Sequence, residues 1–574
     1  MPAGNMRGQK ACIRCYNKKI KCDARKNGSC GNCTQAGAQC ICDSEYNQKP
    51  LTKTQSGGPK KHETRSKSRR NTSAQLNPAL ARDLDTINQL EDTAADQHQS
   101  RSKFPHYFSF HEAMVTPRLA EENPNMSRAD LALLRDQGAF TFPTDNVQHE
   151  LVATFMEYGH VWTPVLDPAW LTGIKPSFLL VQAIFVAASK LTSQPNEHGL
   201  SSDFYRRAKL LFFFGIERDP LVSIASAVLL HWYAPVGIDV SETDTTAFWL
   251  RTAESIALQV GLHKEPKGDD PQGGLRRRLW WTLVHCDCIQ SASAGQPRLI
   301  NLLDSDVKPP AMDDFPDSDD HARVFPVHVS ICHSLGDTVE RCLRQELTAT
   351  AQRTLEDSLF RWFKQDFRSI ATPVSDSLME ARQILVIYLA NLIILDRALS
   401  PDGLPPTRSL LAASFIAGLF RQFLEANELC RLGPSFTFYA LCAGLMLTPA
   451  AWVLGLRISI SEDMLMLKVA LQILSRQWGS AFSALHALQN LEVGSIPKQA
   501  PIEEVPRASS GIPSFFEGLD TKWCRLWGPI VDGDGDQTMA PAPELKFHDF
   551  DMPGSTERAA GIWILDNTPF APAT

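Results

Sequence analysis

Residues 11–40 read ACIRCYNKKIKCDARKNGSCGNCTQAGAQC. Six cysteines in this stretch, Cys12, Cys15, Cys22, Cys30, Cys33 and Cys40, form two halves of the pattern Cys-x2-Cys-x6-Cys, with Asp23 to Ser29 between them. Lysines and arginines fill the gaps: Lys10, Arg14, Lys18, Lys19, Lys21, Arg25 and Lys26. A closed structural zinc site takes four nitrogen or sulfur ligands in a tetrahedron. Six thiolates fill one such site with two left over, or serve two zinc ions if two sulfurs bridge. The near-repeat of the halves favours two ions, and the cations offset the negative charge of the thiolates. A disulfide knot, an iron–sulfur site and a copper-binding thiol cluster are the competing readings. Cys-x2-Cys pairs at these spacings read first as zinc. No apolar signal-peptide core follows Met1, so an oxidising compartment is not expected. Cys42, just outside the pattern, reads as a spare thiol.

The 574-residue chain has room for several domains, and its hydrophobic fraction of 43% supports a large core. The formal net charge of −7 hides a division, since residues 1–70 carry a balance of +12 and the remainder −19. A basic head on an acidic body points to nucleic-acid binding by the head alone. Of 14 cysteines, seven lie at or before Cys42, and the other seven sit mostly in apolar runs, as reduced core residues do.

Beyond the cysteines, residues 43–75 are polar and basic around Gly57-Gly58-Pro59 and read as a flexible linker. Lys60, Lys61, Arg65, Lys67, Arg69 and Arg70 form a basic run whose functional reading is nuclear import and phosphate contact. A plain solvated linker is the alternative. Asn77-Pro78 is a helix start, and Leu80, Leu84, Ile87 and Leu90 then recur at helical spacing. Residues 78–92 could therefore form a short dimerising coil or a lone amphipathic helix. From about Phe140 helical stripes dominate: Leu151, Phe155 and Tyr158; Leu179, Ala183, Ala187 and Leu191; Ala208 and Leu211; Ile224 to Trp232. Strand alternation is scarce, so the body reads as all-α.

Phe436 to Leu456 runs 21 residues without a charge, long enough for a bilayer, with Ala440 and Gly444 at small-xxx-small spacing. Pro449 interrupts it, and amphipathic helix patterns surround it, so a buried helix pair is the preferred reading. From about Pro497, acids, prolines and glycines alternate with bulky residues: Phe515-Phe516-Glu517, Trp523, Trp527, Phe547 to Asp551 and Trp563 to Asp566. This composition suits a disordered activation segment, against the alternative of a docked extension of the body. Asp532, Asp534 and Asp536 mimic a calcium loop but lack its glycine and its closing glutamate.

Trp249, Ala253, Ile256 and Val260 form one helix face, with Gly261 placed to end it before Leu262-His263-Lys264-Glu265. Leu275-Arg276-Arg277-Arg278-Leu279-Trp280-Trp281 opens a second helix, followed by the turn Gly295-Gln296-Pro297-Arg298 and then Asp306-Val307-x-Pro309-Pro310. The arginine run reads as a solvated or ion-paired face, and the two tryptophans as core anchors. His285, Cys286, Asp287 and Cys288 resemble metal ligands on paper. Successive helical residues point about 100° apart, so only His285 and Cys288 are expected to share a face, and a metal is discarded.

Ala11 to Cys40 resembles the fungal zinc-cluster family of transcription factors. The ordered motifs between Phe248 and Pro310 are similar to that family's middle region, more weakly from Phe142 to Leu491. The resemblance implies that Cys12 and Cys30 bridge two zinc ions, that Cys15 and Cys22 complete one site, and that Cys33 and Cys40 complete the other. It places Lys18 and Lys19 in the major groove of double-stranded DNA at a CGG-like half-site. Arg14, Lys21, Arg25 and Lys26 then touch phosphates. Two departures stand out: the loop between the halves lacks the usual proline, and Cys286 replaces the tyrosine or leucine that usually precedes the family's aspartate.

The implied fold class is a small zinc binuclear cluster domain plus a large all-α regulatory domain, joined by a disordered linker. The expected division is 1–45 for the zinc and DNA-binding head, 46–139 for the linker, 140–495 for the α body and 496–574 for an acidic, aromatic tail. The expected role is a nuclear, pathway-specific activator for a metabolic or secondary-metabolite gene cluster. Its expected partners are DNA, a second copy of itself, coactivators and a small-molecule effector, with no membrane. A repressor or a metabolite-sensing protein of the same architecture is the alternative. Gly-x-Ser-x-Gly, the phosphate loop and His-Glu-x2-His are all absent, and nothing recommends an enzyme.

Overall fold

The computed structural model describes Thr34 and residues 126–172, 177–192, 201–233, 246–316, 320–371, 379–397, 405–494 and 504–533. The zinc-cluster cysteines, the DNA-facing lysines and arginines, the basic run at 60–70 and the coil at 78–92 lie outside the described residues. So does the chain from 534 onward.

Every regular element among the described residues is helical, and none is a strand. The first half of the body contains α1 (Arg128–Asp136), α2 (Asp145–Thr154), α3 (Phe178–Ser189), α4 (Ser201–Phe213), α5 (Pro220–Leu230), α6 (Thr246–Gln259) and α7 (Gly273–Ala294). The second contains α8 (Asp320–Leu343), α9 (Ala349–Trp362), α10 (Met379–Arg397), α11 (Thr407–Glu425), α12 (Ser435–Ala450), α13 (Arg457–Leu474) and α14 (Gly479–Gly494). Most helices pack on their sequence neighbours, with α7 against α8 and α10 against α11 among the most extensive pairings. Local chemistry sets many ends. Ser127 caps α1 reciprocally with Asp130, and Asp219 caps α5 just before Pro220. Gly261 and Gly295 occupy the left-handed region, ending α6 and α7 as the turn signals predict.

Helices that are apolar all round must be surrounded by other helices. In α3, every residue from Leu179 to Ser189 is buried, and α10 to α12 are nearly as enclosed. The uncharged run at 436–456 is accordingly not one span. α12 ends at Ala450, a turn of 3-10 helix follows at Leu454–Leu456, and no described helix is long and apolar enough to cross a membrane. Gly444 serves close packing inside the protein, since a Cβ there would stand 2.6 Å from Leu488.

The body is wider than 140–495 at both ends. α1 already belongs to it, with Leu134 and Ala139 fully buried. Residues 504–533 are not a loose tail but a strap docked on α9, α10 and α11. Phe516, Trp523, Leu526 and Ile530 are buried, and the Phe516 ring stacks on Phe415 at 5.2 Å. Tyr388 donates to the Phe515 carbonyl at 3.0 Å, and Lys364 pairs with Glu517. Phe516 and Trp523, two of the aromatic residues that suggested an open activation segment, are instead buried, with Phe515 and Trp527 partly buried beside them; Phe547, Phe550 and Trp563 lie outside the described residues.

Candidate functional site

α7 organises the middle of the body, and its arginines have three different fates. Arg277 bridges Glu265 and Asp314, each at 2.7 Å, as an ion-paired reading predicts. Arg276 lies 3.7 Å from Asp270 near the surface. Arg278 departs from the expected solvated face: it is buried and donates to the carbonyls of Pro164 and Leu166 at 3.0 and 3.2 Å. Burial pushes its guanidinium down to about 10. Trp280 and Trp281 are core anchors, and Trp281 Nε1 donates to the Lys308 carbonyl at 2.6 Å.

At the far end of α7, the Asp287 carboxylate accepts from the backbone N–H groups of Leu299 and Ile300, both at 2.9 Å. This pins the Gly295 turn beneath Arg298, which pairs with Asp337 at 2.8 Å and with Glu340. The four suspected ligands therefore separate. Asp287 holds a turn, and Cys288 Sγ lies 3.8 Å from Arg298 Nη1. His285 and Cys286, not His285 and Cys288, share the interior space described next. Helical spacing alone missed this, because that space is wide enough to meet two adjacent side chains. The free cysteines of the body are mostly buried, as expected of a reduced core.

A cavity of about 260 Å³ opens where α5, α7, α8, α10, α12 and α14 converge. His231 closes α5, His285 comes from α7, His328 from α8, Gln383 from α10, Thr437 from α12 and Ser480 from α14. The His285 and His328 rings meet edge to face at 4.9 Å, and Trp162 packs on His328 at 4.8 Å. His285 Nδ1 lies 3.2 Å from the Trp281 carbonyl, which only accepts, so Nδ1 carries the proton and Nε2 keeps its lone pair. Burial pushes His285 down to about 3 and His231 to about 4, and it holds His328 well below the usual histidine range. All three imidazoles are thus neutral near pH 7. Among the described residues, no three His, Cys, Asp or Glu side chains are placed to hold a metal ion. His231, His328, Gln383 and Ser480 went unnoticed in the sequence. Their only signal there is a polar residue interrupting an apolar helix.

With this geometry in view, two family models match the chain. Residues 10–50 match the fungal Zn(2)-Cys(6) binuclear cluster domain, which binds two zinc ions. Residues 153–333 match the fungal specific transcription factor domain. The two matches are the domains of a zinc-cluster transcription factor with the fungal-specific regulatory domain, and the family matches point to a regulator of transcription. The donor set fits two zinc ions, with six thiols in two equal halves and no competing histidine among them. An acetamidase regulatory protein of Aspergillus oryzae is 28% identical over 50% of this chain and 40% of its own length. Cutinase transcription factor 1 alpha of Fusarium vanettenii is 25% identical over 56% of this chain and 40% of its own length. The transcription factor cpaR of Aspergillus oryzae is 27% identical over 33% of this chain and 35% of its own length. The matches thus span well under two thirds of these relatives.

Proposed function

We propose that the chain is a nuclear, sequence-specific DNA-binding regulator of transcription, acting as an activator of one metabolic or secondary-metabolite pathway. The observation that carries this reading is the doubled Cys-x2-Cys-x6-Cys pattern in a cationic head, upstream of the matched regulatory domain. In this reading Cys12 and Cys30 bridge two zinc ions, while Cys15 with Cys22 and Cys33 with Cys40 complete the sites. The metals hold a short knuckle rigid enough for Lys18 and Lys19 to donate to guanine O6 and N7 of a CGG-like triplet. Arg14, Lys21, Arg25 and Lys26 hold phosphates, which set register and affinity without reading sequence.

The run Lys60, Lys61, Arg65, Lys67, Arg69 and Arg70 directs nuclear import. Residues 78–92 supply a homodimer contact, and the acidic, aromatic stretch after residue 533 recruits coactivators. The relatives, an acetamidase regulatory protein and a cutinase transcription factor, favour a pathway-specific target set.

Fluorescence anisotropy of the full chain on CGG-bearing and scrambled duplexes tests the reading. Binding should prefer CGG and fall steeply as salt rises. Lys18→Ala should cost about 1–3 kcal/mol on the CGG duplex and blur discrimination at one base pair. Equal loss on both duplexes would reduce Lys18 to a phosphate contact. Equal affinity of the native chain for both duplexes would remove sequence-specific recognition.

A further inference from the structure

We propose that the interior cavity of the α body is a binding site for an uncharged small molecule of about ten non-hydrogen atoms, flat and largely apolar, bearing a polar group that pairs with Gln383. The site goes beyond DNA recognition and does not depend on it.

Size comes first. An apolar cavity of about 150 Å³ accepts one benzene, so about 260 Å³ takes a molecule somewhat larger than a single ring. Shape comes from the walls: Trp162, Trp232, Phe436 and Phe438 supply flat aromatic surface. Charge comes from what the lining lacks. Among the described residues no Asp, Glu, Lys or Arg lines the cavity, and its three imidazoles are neutral. An ionised ligand would give up its hydration there and meet no counter-charge.

Polarity comes from Gln383. Its side chain lines the cavity, the residue is 4% exposed, and it forms no hydrogen bond among the described residues. Its amide atoms are not sealed from the cavity's space, so a ligand or water there can pair with them. His285 Nε2 lies 3.5 Å from Cys286 Sγ and accepts from that thiol, whereas the Gln383 amide has both a donor and an acceptor to offer a ligand. A primary amide, a phenol or an indole combines these features, whereas a carboxylate or an ammonium does not.

The location adds a consequence. α5 and α7 come from the first half of the body, and α10, α12 and α14 from the second. An occupant touches both halves and stabilises their packing in proportion to its saturation.

The test uses the full chain at pH 7.5, with melting temperature and titration calorimetry as readouts. Benzamide, phenol and indole are the neutral probes, and benzoate and benzylammonium their charged counterparts. At least one neutral probe should raise the melting temperature saturably and bind at least tenfold more tightly than either charged probe. Gln383→Leu, close in volume, should weaken benzamide, which can both donate to and accept from that amide, at least tenfold, and indole, which can only donate to it, by less. Ile289→Trp, which fills the cavity, should abolish all binding. Should that variant fold poorly, Gln383→Leu still decides, with its helical circular dichroism as a check. The proposal falls if no probe binds, if charged and neutral probes bind alike, or if Gln383→Leu leaves benzamide affinity unchanged. Affinity for the CGG duplex, measured on the same preparations, reports separately on the DNA-binding reading.

Discussion

Gly418→Ala isolates the docking of the C-terminal strap. Gly418 lies on α11, where the strap backbone passes close against the helix. A Cβ at this position would stand 1.9 Å from the Trp523 carbonyl oxygen, whereas ordinary contact begins at 3.4 Å. The strap must therefore withdraw by roughly 1.5 Å. The contacts at risk lie one and two turns earlier on the same face. Leu526 N–H donates to Ser414 Oγ at 3.3 Å, Cys524 Sγ lies 3.7 Å from the Leu411 carbonyl, and Phe415 carries the Phe516 and Trp527 rings. Losing one hydrogen bond costs about 1 kcal/mol, and forcing packed groups apart costs about 1–3 kcal/mol. Against this, alanine is better than glycine in a helix interior by about 1 kcal/mol. The net local loss is about 1–3 kcal/mol, which is roughly five- to 150-fold in the opening equilibrium of the strap. Hydrogen exchange by mass spectrometry should show amides of 519–530 exchanging faster by that factor, with those of α7 unchanged. Unchanged or slower exchange in the strap would refute the docking geometry.

Three further outcomes are expected. Cys12→Ala should strip zinc from the head, whose folding draws on the order of 10 kcal/mol from metal binding. Zinc content by mass spectrometry and affinity for the CGG duplex should fall together, while the helical signal of the body stays; a variant that keeps both would defeat the bridging assignment. Arg278→Met leaves the Pro164 and Leu166 carbonyls unpaired and should destabilise the body by about 2–4 kcal/mol. Arg276→Ala, near the surface, should cost under about 1 kcal/mol, so equal losses in chemical denaturation would overturn this division of roles. Glu254 is buried, and burial first, then Asp287, raises its carboxyl from 4.5 to about 8, with Arg251 opposing. Between those pH values the folded chain holds a proton that the unfolded chain has released, so this group makes native stability fall as pH rises. Glu254→Gln removes that loss. Its melting temperature relative to the native chain should climb from pH 5 to pH 8 in scanning calorimetry, and a flat difference would show that Glu254 is ionised in place.

Much of the architecture was legible from residue spacing. Helical stripes such as Leu179, Ala183, Ala187 and Leu191 placed real helices, because an apolar face must find a partner whatever the topology. Gly261 and Gly295 marked true ends, since few other residues accept the left-handed conformation. Less was legible where composition admits two environments. Phe516 and Trp523 lie among acids and glycines and read as exposed, yet α11 buries them. Arg278 belongs to a run that looks solvated, yet it is buried and donates to two carbonyls more than a hundred residues earlier.

The sequence alone pointed to a zinc-cluster head, because six thiols at fixed spacing state a valence problem with few chemical solutions, and the family match over residues 10–50 agrees. It also determined that the body is helical, because periodicity is a property of adjacent residues. Only the tertiary structure decided that residues 504–533 strap the body and that histidines from three helices and a glutamine from a fourth face one space. Those facts depend on residues far apart in the chain, and no local pattern records which distant side chains will meet.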